Sequence, residues 1–171
     1  MTLTLSGAGF HRGKSEQDVQ TPRDLLDPIE KRFGLIAFDL AASEGNVCEY
    51  FYTPDDDSLS CSWTGNVVGL AWLNPPYSNI EPWAEKCAAE TKKGARILLL
   101  VPASVGANWF QRHVVPNAHV IELMGRVKFV GHTQGFPKDL VLCVFWAGLT
   151  GRSSWKWRDG WPIFPTLEAT R

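Results

Sequence analysis

The sequence predicts a single α/β domain on a mostly parallel sheet with an antiparallel edge ribbon. Three observations carry this. From residue 21 onward, short apolar runs alternate with helical patterns, which implies right-handed crossovers between parallel strands. The last two runs, at 119–124 and 140–146, have no helix between them and so pair antiparallel. The chain has 171 residues, 44% of them apolar and 20% charged, which suits one globular core.

Each element has its own signal. Residues 1–18 are rich in Gly and polar side chains and read as a flexible arm, with residues 19–171 as the domain. Thr21 reads as an N-cap, Pro22 as the first helical residue and Asp24 as the acid of a capping box. Leu25, Leu26, Ile29 and Phe33 then recur at helical spacing, and Gly34 supplies the stop. Leu35 to Phe38 is a buried strand ending in Asp39, and residues 48–52 read as a second strand. An acidic turn follows at 53–57. Val67 to Leu73 is a strand cut short by Asn74-Pro75-Pro76-Tyr77. The next helix has Pro82 near its start, places Trp83, Ala84, Cys87 and Ala88 on one face, and stops at Gly94. Ala95 to Val101 is a strongly apolar strand, and a short helix is expected around Trp109–Val115. The strand at 119–124, with a possible extension to 130, precedes a Gly-rich loop at 131–139 and a last strand at Leu140–Trp146.

Composition narrows the class. Net charge is −1, so the whole chain is no basic polyanion binder. Its charge is uneven, with −5 on residues 1–111 and +4 on residues 112–171. A polyanion docking on the second half and chance unevenness both account for this. The four cysteines form no CxxC pair, so reduced thiols in a cytosol are expected rather than zinc or disulfides. The four histidines have no metal-ligand spacing, no metal is expected, and no apolar run is long enough to span a membrane. The opening MTLTLSGAGFHRGK lacks an apolar signal region, so no secretory leader is expected.

In a parallel sheet, ligands collect where strands end at their carboxyl side. Asp39, Asn74 and Pro102 occupy such ends. Asn74-Pro75-Pro76-Tyr77 is the informative tetrapeptide. Its prolines fix φ near −65° and remove two N–H donors, so the turn is stiff and offers acceptors. Asn74 adds a side-chain oxygen beside the Pro75 carbonyl, and Tyr77 adds a flat ring. Two acceptors and a stacking surface suit an exocyclic amine on a planar base. A Pro-rich turn with a capping Asn is the plainer reading.

The chain resembles the phage-type DNA adenine-N6 methyltransferases. The likeness runs from about Val19 to Trp146. It is carried by QTPRDLLDPIEKRFG, FDLAAS with Asn46 and Cys48, YFYTPDDDSL, SWTGNVVGLAWLNPPYSNIEPWAEK, LLLVPAS with Trp109-Phe110, and GRVKF. The resemblance implies a Rossmann-like S-adenosylmethionine-dependent methyltransferase fold, S-adenosyl-L-methionine as cofactor and adenine in DNA as methyl acceptor. It also implies phage or prophage origin and action in a bacterial cytoplasm. Asn74, Pro75, Pro76 and Tyr77 become the catalytic candidates.

Donor-binding candidates are Thr21, Pro22, Asp39, Ala41, Asp56 and Asp57. Thr21 and Pro22 open a helix, whose N-terminus attracts an anion; a plain N-cap is compatible with this. Asp39 suits an amino group or sugar hydroxyls, or caps a helix. Asp56 or Asp57 suits hydroxyls or an amine, or belongs to a solvated turn. The glycine-rich loop common after the first strand of methyltransferases is replaced here by Phe38-Asp39-Leu40-Ala41-Ala42-Ser43. With no room for a separate recognition domain, DNA contacts fall to loops and to a basic aromatic tail: Arg126, Phe129, Lys138, Lys156 and Arg158. Phe129 is either a second stacker or a core residue. Trp155-Lys156-Trp157-Arg158 either stacks on bases or packs as an amphipathic tail. Methylation of RNA or of a protein glutamine, and a non-catalytic DNA-binding or decoy protein, are the alternatives on the same fold. The sequence sets no oligomeric state.

Overall fold

The computed structural model describes residues 20–42 and 46–159. The expected flexible arm at 1–18 and the chain beyond 159 lie outside these residues. Helix α1 spans Arg23–Phe33 and is capped by Pro22 rather than Thr21. Pro22 takes the N-cap role through its carbonyl, which accepts from Leu25 N and Leu26 N at 3.1 and 3.2 Å. Pro28 stands inside this helix, where its missing N–H removes one ladder bond. Gly34 stops it at φ 101°, its N–H bonded to the Glu30 carbonyl.

The strands are β1 (Ile36–Asp39), β2 (Tyr50–Phe51), β3 (Leu70–Leu73), β4 (Arg96–Pro102), β5 (His119–Leu123), β6 (Leu140–Phe145) and β7 (Gly151–Trp155). They form one sheet in the order β2-β1-β3-β4-β6-β5-β7. β6 is antiparallel to both β4 and β5, and all other pairings are parallel. The fold is therefore the expected mixed, mostly parallel α/β sheet, consistent with a Rossmann-like methyltransferase. Two details differ from the sequence reading. The antiparallel pair lies inside the sheet rather than at its edge, because β7 adds a parallel strand outside β5. β7 reads GRSSW, too polar to signal a strand; only Trp155 at its end is buried. β5 also ends at Leu123, without continuing to 130.

Between β2 and β3 lies a short helix α2 (Trp63–Asn66), and β3 starts at Leu70 rather than at the expected Val67, leaving Val68 exposed. Helix α3 spans Glu81–Lys92, as its pattern predicts. The helix expected around Trp109–Val115 is a π-helical turn at Phe110–Val114. The sheet is covered on both faces, so β4 is apolar at every position after Arg96. Ile97, Leu99 and Val101 pack toward the side of α3; Leu98 and Leu100 pack toward α1 with Trp155 and Trp157. Among the described residues no helix is long and apolar enough to cross a membrane.

α3 matters because it follows the proline turn directly. Its buried Glu90 ties it to α2: Thr64 N donates to Glu90 Oε2 at 2.9 Å and Thr64 Oγ1 donates at 2.6 Å. Lys93 Nζ lies 3.0 Å from the other oxygen. Burial works against the charge, but the Thr64 bonds and Lys93 outweigh it and hold the carboxyl at about 2. A depressed carboxyl stabilises the fold above its ordinary value of 4.5 and loses that contribution as pH falls toward 2. Glu90→Gln should thus cost about 1–3 kcal/mol at neutral pH. In urea unfolding, the gap to wild type should close between pH 4.5 and 2.

Candidate active site

A cleft of about 280 Å³ opens where β1 and β3 end. The register explains why: Asp39 pairs with Trp72, so the end of β1 lies beside the Leu73-Asn74 exit from β3. Asp39, Leu40, Ala41 and Ala42 form one wall, and Thr53, Pro54, Asp57, Ser58 and Leu59 a second. Gln20, Thr21, Val47, Trp72, Asn74, Pro76 and Trp83 complete it. Mostly apolar walls with a few convergent polar groups are the usual character of a small-molecule site.

Asp39 is almost fully buried. Its two carboxylate oxygens accept Ala41 N–H and Val47 N–H, each at 3.2 Å. Burial raises its pKa to about 6 despite those two bonds. Asp57 adopts a left-handed conformation at φ 45°, accepts Ser60 Oγ and lines the cleft. Asp56 does not line it. Its carboxylate turns back to accept Thr53 N and Thr53 Oγ1, both at 2.7 Å, as the acid of a capping box.

The proline turn sits between this cleft and a second cavity. Asn74 is held from two sides: Nδ2 donates to Thr21 Oγ1 at 3.3 Å, and Oδ1 accepts the Tyr77 hydroxyl at 2.8 Å. Pro75 is buried and Pro76 is exposed along the cleft. Tyr77 is half-buried, and burial pushes its hydroxyl well above the ordinary value, so it remains a donor. Its ring meets Phe136 edge to face at a centroid distance of 5.6 Å. Tyr77 lines the second cavity, about 250 Å³, with Ser104, Trp109, Phe136 and Lys138 among its neighbours.

A family model described as "DNA N-6-adenine-methyltransferase (Dam)" matches residues 11–140. The chain belongs to this family. A protein of Escherichia phage T1, named DNA N-6-adenine-methyltransferase, is 37% identical over 91 residues, covering 53% of this chain and 37% of its own length. A protein of the same name from Haemophilus phage HP1 (strain HP1c1) is 27% identical over 132 residues, 74% of each chain. The chain thus spans little more than a third of the T1 relative and about three quarters of the HP1 one.

Within this Dam family member, the structure gathers Thr21, Asp39, Ala41, Asp57, Asn74 and Pro76 around one cleft. Pro22 heads α1 next to Thr21. The candidates for DNA contact scatter. Phe129 is a core residue, 2% exposed and edge-on to Phe136 at 5.6 Å. Trp155 and Trp157 are also buried, so the tail packs on the domain as an amphipathic segment and offers no stacking face. Lys156 and Arg158 stay exposed. Arg158 lies over Trp157 and donates to the Arg126 carbonyl at 2.8 Å. Lys138 reaches the second cavity. Phe136 and Leu59 carry no periodic signal as lone apolar residues in loops, and neither Gln20 nor the helical Trp109 has a pattern that marks a cavity wall. Among the described residues no group of three or more His, Cys, Asp and Glu could hold a metal.

Asp39 gives the site a measurable signature. Its folded pKa of about 6 exceeds the ordinary 3.8, so its ionisation opposes folding at neutral pH. That opposition fades as pH falls from 6 to 3.8. Relative to Asp39→Asn, wild-type stability should rise across this window and stay level above it, as read by chemical unfolding at a series of pH values.

Proposed function

We propose that the chain transfers a methyl group from S-adenosylmethionine to the exocyclic N6 amine of adenine in DNA. The carrying observation is the position of Asn74-Pro75-Pro76-Tyr77 as the partition between two cavities, Asn74 facing one and Tyr77 the other. The first cavity fits the donor by its chemistry. Asp39 and Asp57 offer carboxylates for an ammonium group and ribose hydroxyls, Thr21 offers a hydroxyl, and Leu40, Leu59 and Pro54 offer apolar walls. When bound there, S-adenosylmethionine supplies an electrophilic methyl on a cationic sulfur.

The protein's own groups do the rest. Adenine inside a duplex is out of reach and must be flipped out, at a few kcal/mol. Tyr77 gives it a stacking surface, worth about 1–3 kcal/mol. Asn74 Oδ1 has two lone pairs, so it can accept an amine N–H while keeping the Tyr77 hydroxyl. With the Pro75 carbonyl as second acceptor, the nitrogen lone pair is drawn out of conjugation and aimed at the methyl. The same two oxygens stabilise the positive charge that develops on nitrogen until its proton leaves to solvent. The T1 and HP1 relatives are both named DNA N-6-adenine-methyltransferase and come from phages, which supports DNA in a bacterial host as substrate.

Transfer of labelled methyl to DNA, RNA and protein tests the reading. Incorporation into adenine of DNA is expected; incorporation only into RNA or protein, or no binding of the donor by calorimetry, would overturn it. Asn74→Ala should lose about 100-fold or more in turnover while donor affinity changes little. Tyr77→Ala should raise the KM for DNA by roughly 5- to 100-fold, the worth of one stacked base.

A further inference from the structure

Arg126 looks from sequence like a phosphate contact, but its surroundings assign it a different task. We propose that Arg126 is a positioning residue that closes the 124–139 loop and thereby seats Phe136 against Tyr77. The proposal rests on the reading of Tyr77 as the base-stacking residue.

Four contacts converge on this one residue. Its Nη2 lies 3.5 Å from Asp139 Oδ1, at the far end of the loop. Its Nη1 donates to the Phe136 carbonyl at 3.4 Å. Its own carbonyl accepts Arg158 Nη2 at 2.8 Å. Gly135 packs directly on its side chain: a Cβ on residue 135 would stand 2.6 Å from Arg126 Cβ. Gly135 is therefore needed for close approach, and its neighbour cannot yield without moving backbone. Each exposed ion contact is weak alone. Together they brace a loop already fixed by Phe136 N–H to Val127 O at 2.7 Å and Val130 N–H to Gln20 O at 3.1 Å.

The braced loop delivers Phe136. Its ring meets Phe129 in the core and Tyr77 at the cavity, each edge to face at 5.6 Å. Phe129, Phe136 and Tyr77 thus form a row from the core to the stacking surface. Opening the Arg126 staple frees the middle member, and the Tyr77 ring loses its outer support. Lys128, Lys138 and Lys156 are exposed on the same part of the chain and remain as cations for phosphate.

The staple and the phosphate contact predict opposite results. Full-length wild type, Arg126→Ala, Gly135→Ala and Asp139→Asn are compared on duplex DNA carrying 2-aminopurine at the target adenine. The staple predicts about tenfold lower kcat for Arg126→Ala and Gly135→Ala, a weaker 2-aminopurine signal and an unaltered salt slope. Asp139→Asn shifts kcat in the same direction. A salt slope lowered by about one in Arg126→Ala, with kcat unchanged and DNA binding tightened by Asp139→Asn, overturns it. Hydrogen exchange gives a readout independent of turnover. Faster exchange of the Phe136 and Val130 amides in Gly135→Ala supports the staple; unchanged protection overturns it. A wild type inert on DNA sinks the methylation reading and leaves the exchange result to judge the staple.

Discussion

The arrangement depends on one amide held between two hydroxyls. Thr21, at the entrance to α1, and Tyr77, after the prolines, grip the two ends of Asn74. These residues lie 53 and 3 positions from Asn74 in the chain. The grip therefore joins the beginning of the described domain to the exit of β3. It turns a flexible side chain into a fixed acceptor, with the amide on the first cleft and its Tyr77 partner on the second cavity. A fixed acceptor is worth more to catalysis than a mobile one, because no reorganisation is needed as charge develops.

The parallel register supplies the platform. β1 and β3 run side by side and end together, so one carboxylate and one amide come to the same rim without either being near the other in sequence. The rim then carries opposite demands. Asp39 is buried at a cost in charge, paid back in part by two backbone N–H groups that also shape the chain after β1. A group kept ionised in a dry setting is useful for meeting a cation, and the desolvation that raises its pKa is the other side of that use.

Much of this was legible in the residues. Two prolines after an apolar run mark a stiff exit, and apolar runs separated by helical patterns give a parallel sheet. Asp39, Asn74 and Thr21 are at strand or helix ends in both sequence and structure, which is why they come together. What escaped was set by tertiary context. GRSSW becomes a strand only because β5 offers it an edge, and Pro22 rather than Thr21 caps α1 while the Thr21 hydroxyl accepts from Asn74. Asp56 and Asp57 are chemically alike, and only the turn geometry sends one to Thr53 and the other to the cleft. Phe129 and the two tail tryptophans carry both a stacking and a packed reading in the sequence, and only their tertiary neighbours decide for packing.

The placement of β6 has a consequence for how the chain is made. β4 pairs with β3 on one side and with β6 on the other, yet β6 begins at residue 140. As the polypeptide leaves the ribosome, the first four strands can associate while β4, apolar after Arg96, still shows an open edge. That edge invites pairing with another nascent copy until residues 140–145 arrive to fill it. Residues 140–145 thus act as an internal stopper against self-association.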